Sequence, residues 1–142
     1  MTKVFVLNGV NLARLGVREP GVYGTLTHAQ LAEHLVQTGA GLGLEVEVRQ
    51  TDSEATMASW LHEAADGKIP VVINPGAWTH YSYALQDAAR EVGLLIEVHI
   101  SNIHAREEFR RHSLFAGVAQ GSIVGLGPAG YDYAIAHIAS LI

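Results

Sequence analysis

The sequence predicts an α/β fold, a doubly wound parallel sheet of five strands with helices on both faces. Short β-branched or apolar segments alternate with segments of helical periodicity, and this alternation is typical of a parallel sheet covered on both sides. The 142 residues suit one domain, at roughly 100 to 200 residues per domain. Hydrophobic residues make up 49% of the chain, with 15 glycines and 4 prolines, and this composition excludes a disordered chain. We therefore expect one folded domain over residues 1–142.

Five short segments form the predicted strands, and most of them are joined by helices. The strands are Val4–Leu7, Glu45–Gln50, Pro70–Asn74, Leu94–Ile100 and Ser122–Leu126. Four helices are predicted. The first starts at a capping box of Thr27 and Gln30, and the second starts after Ser53 and stops at Gly67. The third spans Ser82–Val92 and stops at Gly93, and the fourth spans Tyr131–Leu141. A loop with a helical turn joins the last two strands. Doubly wound sheets bind ligands at the carboxyl ends of their strands.

Charge and composition exclude several classes of protein. The net charge is −5, so bulk electrostatics favours neither nucleic acid nor an anionic membrane as a partner, and any anion must be bound locally. Only 16% of residues are charged, which suggests that other subunits cover part of the surface. The chain has no cysteine, which rules out disulfides, thiolate metal sites and a thiol nucleophile. No apolar run suits a signal peptide or membrane span, so we expect a soluble cytoplasmic protein.

Polar side chains collect near the predicted carboxyl ends of the strands. All four asparagines follow a strand, at Asn8, Asn11, Asn74 and Asn102. Six arginines lie near strand ends, at Arg14, Arg18, Arg49, Arg106, Arg110 and Arg111. Polar loops and the preference of asparagine for turns explain part of this pattern. The two lysines, Lys3 and Lys68, precede strands, so they lie at the opposite edge and imine chemistry at the site is not expected.

The segment from residue 8 to residue 24 is too long for a simple connection and resembles a lid. Its glycines can act as hinges, and it carries Arg14, Arg18 and Tyr23. A nearby cation lowers the pKa of an acid by about 1 to 3 units, so the arginines can make Tyr23 a usable base. The alternative is that Tyr23 packs against the loop while the arginines are solvated.

The fourth strand supplies a second pair of chemical groups. Alternation places Glu97 and His99 on the same face, where the carboxylate can orient the imidazole and raise its basicity. A buried structural histidine is the alternative. The backbone N–H groups of Ile100 and Ser101 can hold a carboxylate, assisted by Arg106 or Arg110. After the third strand, Asn74 and His80 offer an amide and another imidazole, ahead of the helix that carries Asp87.

Two further signals are weak. Residues 125–130 read G-x-G-x-x-G between a strand and a helix, but no further strand and no acidic residue about 20 positions on follow, as a dinucleotide site requires. A tight turn and close helix packing explain these glycines. His99, His104 and Glu97 match no recognised zinc spacing. We therefore expect neither a metal nor a cofactor.

The motifs of the chain resemble those of the type II 3-dehydroquinate dehydratases from end to end. The matching segments are Asn8-Gly9-x-Asn11-Leu12, Leu15-Gly16-x-Arg18-x-Pro20-x-x-Tyr23-Gly24, Gln50-x-Asp52-Ser53-Glu54, Asn74-Pro75-Gly76, Thr79-His80, Glu97-Val98-His99-Ile100-Ser101-Asn102, Arg106-Glu107, Phe109-Arg110, His112-Ser113 and Gly130-Tyr131. The departures are Val10, where the family usually has proline, and Thr51, where it usually has serine. Val10 can change the rigidity of the turn before Asn11 without removing a functional group.

This resemblance implies a flavodoxin-like catalytic domain with strand order 2-1-3-4-5. It also implies a cofactor-free anti elimination of water from 3-dehydroquinate through an enolate, in the shikimate or quinate pathway. Tyr23, with its pKa lowered by Arg18, would remove the C2 proton. Asn11 would hold a water that stabilises the enolate oxygen, and His99, supported by Glu97, would protonate the departing hydroxyl.

The resemblance also implies which residues hold the substrate. Its carboxylate would be held by Asn74, Ile100 and Ser101. Its ring hydroxyls would contact His80, Arg110 and Asp87 of a neighbouring subunit. Arg14 and Arg106 would assist at the lid and the site wall. Members of the family assemble as dodecamers built from trimers, which agrees with the charge-poor composition.

Two other classes of function compete with this interpretation. A flavodoxin-like binding module would hold FMN or a nucleotide, and its Arg14, Arg18 and Tyr23 would face solvent. A purely structural oligomer would have no cavity at the strand ends.

Overall fold

The computed structural model describes residues 1–18, 21 and 24–142, and five strands form one parallel sheet in it. The strands are β1 (Thr2–Asn8), β2 (Leu44–Gln50), β3 (Val71–Asn74), β4 (Leu95–His99) and β5 (Gly121–Val124). Their order is β2-β1-β3-β4-β5 and every neighbouring pair is parallel. This confirms the expected class and strand order.

The register of the sheet brings its polar carboxyl ends level with one another. Asn8 at the end of β1 lies opposite Asn74 at the end of β3, and opposite Gln50 at the end of β2. Side chains that are distant in sequence therefore meet along one edge of the sheet, as ligand sites in doubly wound folds require.

Within the described residues, four helices cover the sheet; the first two start at the predicted caps, whereas the last starts at Ala129 rather than at Tyr131. They are α1 (His28–Gly41), α2 (Glu54–Gly67), α3 (Tyr83–Ala89) and α4 (Ala129–Ser140). The capping box is present, because the Gln30 N–H donates to Oγ1 of Thr27 at 3.1 Å and the Thr27 N–H donates to Oε1 of Gln30 at 3.0 Å. Ser53 caps α2 through the N–H of Thr56 at 3.2 Å.

Two helix ends differ from the prediction. Helix α3 ends at Ala89 rather than Val92, because the next turn tightens into an i to i−3 hydrogen bond from the Val92 N–H to the carbonyl of Ala89. Gly67 lies inside α2, and Lys68 takes the left-handed backbone after it, with φ 54°. A Cβ on Gly67 would lie 3.1 Å from Ile69, so close approach accounts for this glycine.

Alternate residues of the central strands build a core on each face of the sheet. Val4 and Val6 of β1 pack with buried residues of α1 and α4. Phe5 and Leu7 pack on the opposite face with buried residues of α2 and α3. Each fully buried side chain of this kind stabilises the fold by about 1.5 to 3 kcal/mol. Both faces are therefore covered, as predicted.

The connection between β4 and β5 contains two short 3₁₀ turns, Ile103–Ala105 and Glu108–Arg111, which matches the expected loop with a helical turn. Among the helices of the described residues, none combines the length and the apolar character needed to cross a membrane.

Candidate active site

A cavity opens at the carboxyl edge of the sheet, where the sequence predicts a ligand site. It measures about 150 Å³, a size that suits one six-membered ring. Ten of the predicted site residues line it: Asn11, Arg14, Arg18, Asn74, His80, His99, Ile100, Ser101, Arg106 and Arg110. Its presence contradicts the purely structural reading, which requires no cavity here.

The lining of the cavity carries cationic side chains although the chain has a net charge of −5. Four guanidinium groups line it, those of Arg14, Arg18, Arg106 and Arg110, and Arg110 also forms an ion pair with Glu107, which does not line the cavity. No aspartate or glutamate is found among the lining residues in the described ranges. Guanidinium groups match carboxylates in charge and geometry. The local field therefore favours an anionic ligand, as the sequence predicts.

Glu97 and His99 form a buried pair beside the cavity. They lie two residues apart on β4, so they share a face, and Nε2 of His99 is 2.6 Å from Oε2 of Glu97. The side chains are only 1% and 5% exposed, respectively. Glu97 does not line the cavity, whereas His99 does. The carboxylate thus lies behind the imidazole, in the arrangement expected from the alternation along the strand.

Three hydroxyl groups hold the Glu97 carboxylate from behind. Thr79 donates to Oε2 at 2.7 Å, Ser113 contacts Oε2 at 2.7 Å and Oε1 at 2.9 Å, and Ser122 donates to Oε1 at 3.2 Å. Burial alone would raise the pKa of Glu97. The hydrogen bond and charge of His99, with the hydroxyls of Thr79 and Ser113, outweigh burial and lower that pKa.

The ionised state of Glu97 fixes how His99 can act. An ionised carboxylate only accepts hydrogen bonds, so Nε2 of His99 must carry a proton and donate it to Glu97. When the ring holds a second proton, that proton is on Nδ1. His99 can therefore release its Nδ1 proton towards a ligand while Glu97 keeps the ring in place.

The loop after β1 is held to the end of β2. The Asn11 N–H donates to Oδ1 of Asp52 at 2.9 Å, and Nε2 of Gln50 donates to the same oxygen at 3.1 Å. Asn11 takes a left-handed backbone with φ 69°, which asparagine tolerates better than most residues. A Cβ on Gly76 would lie 2.9 Å from the carbonyl oxygen of Val10. This close approach brings the loops after β1 and β3 together at Asn11.

His80 has one ring nitrogen occupied. Its Nδ1 lies 2.7 Å from the carbonyl oxygen of His112, so Nδ1 carries the proton and donates it. Burial lowers the pKa of His80, and the His112 carbonyl only partly opposes that effect. The ring is therefore neutral near pH 7, and its Nε2 can accept a hydrogen bond from a hydroxyl group of a ligand.

Among the described residues, Asp87 and Arg49 do not line this cavity. Asp87 lies on α3 with its side chain 78% exposed, 4.0 Å from Arg90, and it does not line the cavity of its own chain. Tyr23 lies outside the described residues, so its position remains a prediction. Arg49, near the end of β2, contacts Glu63 at 2.8 Å and covers the Phe5 ring instead of entering the cavity.

Packing explains Gly125 and Gly130, and a left-handed backbone with φ 66° explains Gly127. Gly125 has φ +88°, and a Cβ there would lie 2.9 Å from Cβ of Asn102. A Cβ on Gly130 would lie 3.2 Å from Ile123. As for metal ligands, residues 1–18, 21 and 24–142 contain no cluster of three histidine, cysteine or acidic side chains with suitable geometry.

The predicted site leaves out several residues that support it. Thr79, Ser113, Asp52 and Tyr131 fall in the matching motifs, but nothing in their local sequence assigns them a role. Thr79 and Ser113 contact a carboxylate 18 and 16 residues away, so only the folded chain brings them together. The alternation that pairs Glu97 with His99 contains no information about partners from other elements.

The sequence and fold are similar to those of known dehydroquinases. The Dehydroquinase class II family model matches residues 2–139. A 3-dehydroquinate dehydratase of Salinispora tropica is 58% identical over 139 residues, which cover 97% of each chain. A type II dehydroquinase from Propionibacterium acnes has a TM-score of 0.98 at 55% identity, covering 99% of this chain and 97% of that one. Another, from Butyrivibrio crossotus, has a TM-score of 0.93 at 41% identity, covering 96% and 97%. The chain therefore belongs to the class II dehydroquinase family.

Proposed function

We propose that this protein is a 3-dehydroquinate dehydratase, a hydro-lyase that converts 3-dehydroquinate to 3-dehydroshikimate by anti elimination through an enolate, without a cofactor. One observation carries the proposal: an imidazole backed by a buried carboxylate lines a cavity that also holds four guanidinium groups. Such a cavity attracts a carboxylate substrate and offers it a proton donor. Membership of the class II dehydroquinase family and the name of the Salinispora tropica relative support this substrate.

His99 is the proposed acid of the elimination. The departing hydroxyl needs a proton to leave as water, and His99 supplies it from Nδ1 in the imidazolium form. Glu97 contacts Nε2 at 2.6 Å and stabilises the positive ring. General acid catalysis by a positioned side chain contributes about 10² to 10⁴ in rate.

Tyr23 is the proposed base, and this part rests on the family resemblance. A tyrosine has an ordinary pKa near 10, so it needs a cation beside it to act as phenolate near pH 7. Arg18 is the proposed cation, and it lines the cavity. Asn11, also on the cavity wall, is proposed to hold a water that stabilises the enolate oxygen.

The cavity wall suggests how the substrate lies. We assign its carboxylate to Asn74 and to the backbone N–H groups of Ile100 and Ser101, which line the cavity together.

The remaining contacts are assigned as follows. The ring hydroxyls contact the neutral ring of His80, the guanidinium group of Arg110, and Asp87 of a neighbouring subunit. Arg14 and Arg106 assist at the lid and at the wall of the site. The exposure of Asp87 leaves it available to a second chain.

The proposed assembly is a homododecamer built from trimers. The proposed pathway is the shikimate or quinate pathway, including aromatic amino acid biosynthesis, and the proposed location is the cytoplasm.

Family membership favours the dehydratase over the alternative of a flavin-binding module. The Dehydroquinase class II family model matches residues 2–139, and the Salinispora tropica relative is named 3-dehydroquinate dehydratase. A cavity of about 150 Å³ also suits the single six-membered ring of such a substrate.

Incubation of the purified protein with 3-dehydroquinate tests the proposal directly. The product is a conjugated enone, so ultraviolet absorbance should rise with time. His99→Ala should reduce the initial rate by at least about 100-fold, whereas His104→Ala, at an exposed position off the cavity wall, should leave it close to wild type. A flat absorbance trace with the wild-type protein would refute the activity, and an active His99→Ala would refute the assignment of the acid.

A further inference from the structure

A buried tyrosine connects the ends of two strands beneath the cavity. Tyr131 is the third residue of α4 and is 0% exposed. Its hydroxyl donates to Oδ1 of Asn8 at 2.7 Å and accepts from Nδ2 of Asn74 at 2.8 Å. Asn8 and Asn74 lie opposite each other at the ends of the neighbouring strands β1 and β3. The phenol thus joins the two strands at the edge where the cavity opens.

Asn74 and Asn8, the two partners of Tyr131, each form a further hydrogen bond. The Gly76 N–H donates to Oδ1 of Asn74 at 3.1 Å, and Nδ2 of Asn8 lies 3.0 Å from Nε2 of His28. Burial lowers the pKa of His28, so the ring is neutral and Nε2 accepts. Burial also raises the pKa of Tyr131, so the phenol keeps its single proton.

The direction of these hydrogen bonds is therefore fixed. The neutral phenol has one proton, which goes to Asn8, so it can only accept from Asn74. That contact requires Asn74 to turn Nδ2 towards Tyr131, while its Oδ1 faces the N–H of Gly76. With the amide in this orientation, the second N–H of Nδ2 is the Asn74 group that can donate to a ligand in the cavity.

The orientation of this amide matters for an anionic ligand. A carboxylate only accepts hydrogen bonds, so the N–H of Asn74 attracts it and the amide oxygen would repel it. Asparagine can present either group, and the surrounding hydrogen bonds decide which. Only one of the two orientations satisfies both the Gly76 N–H, which needs the amide oxygen, and a neutral phenol that already donates to Asn8.

We propose that Tyr131 is a positioning residue that gives the site its preference for carboxylate ligands, by holding the Asn74 amide with an N–H available to the substrate carboxylate. This inference rests on the proposed function in one respect, the assignment of Asn74 to the carboxylate. Tyr131 itself does not line the cavity, so it acts only through Asn74.

Two substrate-like probes separate this role from a general loss of structure. Quinate carries the carboxylate of the substrate, and quinamide replaces that group with an uncharged amide that can donate as well as accept. Tyr131→Phe keeps the ring and removes both hydrogen bonds. Tyr133→Phe is the matched control, because Tyr133 lies on the same helix with 55% of its surface exposed.

The expected result is a selective loss of carboxylate binding. In Tyr131→Phe, the dissociation constant of quinate and the KM for 3-dehydroquinate should rise about tenfold, as for one lost hydrogen bond to a charged group. The dissociation constant of quinamide and kcat should change far less. Tyr133→Phe should match wild type in all four measurements. If Tyr131→Phe binds quinate as wild type does, or loses both probes equally, the proposal is overturned.

A second variant reaches the same amide without changing Tyr131. Asn8→Leu removes the acceptor of the phenol proton, so the hydroxyl becomes free to donate to Asn74, and only the Gly76 N–H still favours the present orientation of the amide. The ratio of quinamide to quinate affinity should rise here too, and an unchanged ratio in a folded Asn8→Leu protein would overturn the proposal. Because both probes are measured by calorimetry without turnover, a wild-type protein inactive on 3-dehydroquinate would refute the proposed function separately.

Discussion

The hydroxyl of Thr79 lies 2.7 Å from the same oxygen atom of Glu97 that contacts His99. Thr79 is 0% exposed, so water cannot replace its hydrogen bond. One carboxylate oxygen therefore contacts the imidazole, this hydroxyl and the hydroxyl of Ser113, which lies 2.7 Å away. This contact links the protonation state of Glu97 to a residue that never touches the cavity.

Removal of this hydroxyl should weaken turnover and shift its pH dependence. Thr79→Val keeps the shape of the side chain but takes away a donor that lowers the pKa of Glu97. The pKa of Glu97 should rise, so the acidic limb of the kcat profile should move to higher pH. We expect kcat to fall about tenfold, as for one buried hydrogen bond, with KM nearly unchanged.

Steady-state kinetics extended from pH 8 down to about pH 3 would measure both effects, because the lowered pKa of Glu97 places its titration below the ordinary value of about 4.3. Thr56→Val, the same substitution in α2 away from the cavity wall, serves as the control. An acidic limb that stays in place would show that Thr79 does not tune Glu97.

The buried carboxylate should also make stability depend on pH. The pKa of Glu97 is lowered in the folded protein, so its contribution is complete above the unfolded value of about 4.3. That contribution is lost as the pH falls through the lower, folded value. Glu97→Gln lacks it, so the stability difference between wild type and this variant should shrink as the pH drops below about 4.3.

Urea denaturation at a series of pH values from neutral to acidic would measure this difference. Glu33→Gln, at an exposed position of α1, should follow wild type throughout. A constant difference between wild type and Glu97→Gln would contradict the lowered pKa.

Tyr23→Phe should abolish turnover while binding and fold stay nearly intact. In the proposed mechanism the phenol removes the C2 proton, and the loss of a general base costs about 10² to 10⁴ in rate. Absorbance of the enone product measures the rate, and calorimetry with quinate measures binding. A rate within a few-fold of wild type would show that the base is another group.

Borohydride should not inactivate the enzyme in the presence of 3-dehydroquinate. An imine needs a lysine at the site, and neither Lys3 nor Lys68 lines the cavity. Lys3 lies near the amino end of β1, 3.5 Å from Glu47. Activity should survive treatment and dialysis, and mass spectrometry should detect no substrate adduct. Irreversible loss of activity with an adduct on either lysine would contradict the mechanism.

The parts of the fold with local signals were predictable from the sequence. The two-residue period of a strand is enough to pair Glu97 with His99, and the side chains of Thr27 and Gln30 suffice to mark the start of α1. The strand order came from the motifs shared with the family, and the sheet confirms it. The end of α3 was wrong by one turn, since the tightening after Ala89 leaves no sequence signal.

Contacts between distant segments could not be predicted from the sequence. Tyr131 meets Asn74 at a separation of 57 residues and Asn8 at 123, and no periodicity relates such positions. Ser122 and Ser113 reach Glu97 from different segments. These are ordinary hydroxyl residues until the chain folds, so their roles follow only from three-dimensional proximity.

The four guanidinium groups that line the cavity have a practical consequence for experiments. Small oxyanions such as phosphate and sulfate fit these groups as well as a carboxylate does, so common buffers and precipitants should compete weakly with the substrate. Kinetic constants measured in phosphate will then understate the affinity of the enzyme. For the same reason, an inhibitor that carries a second acidic group should gain more here than one enlarged with hydrocarbon.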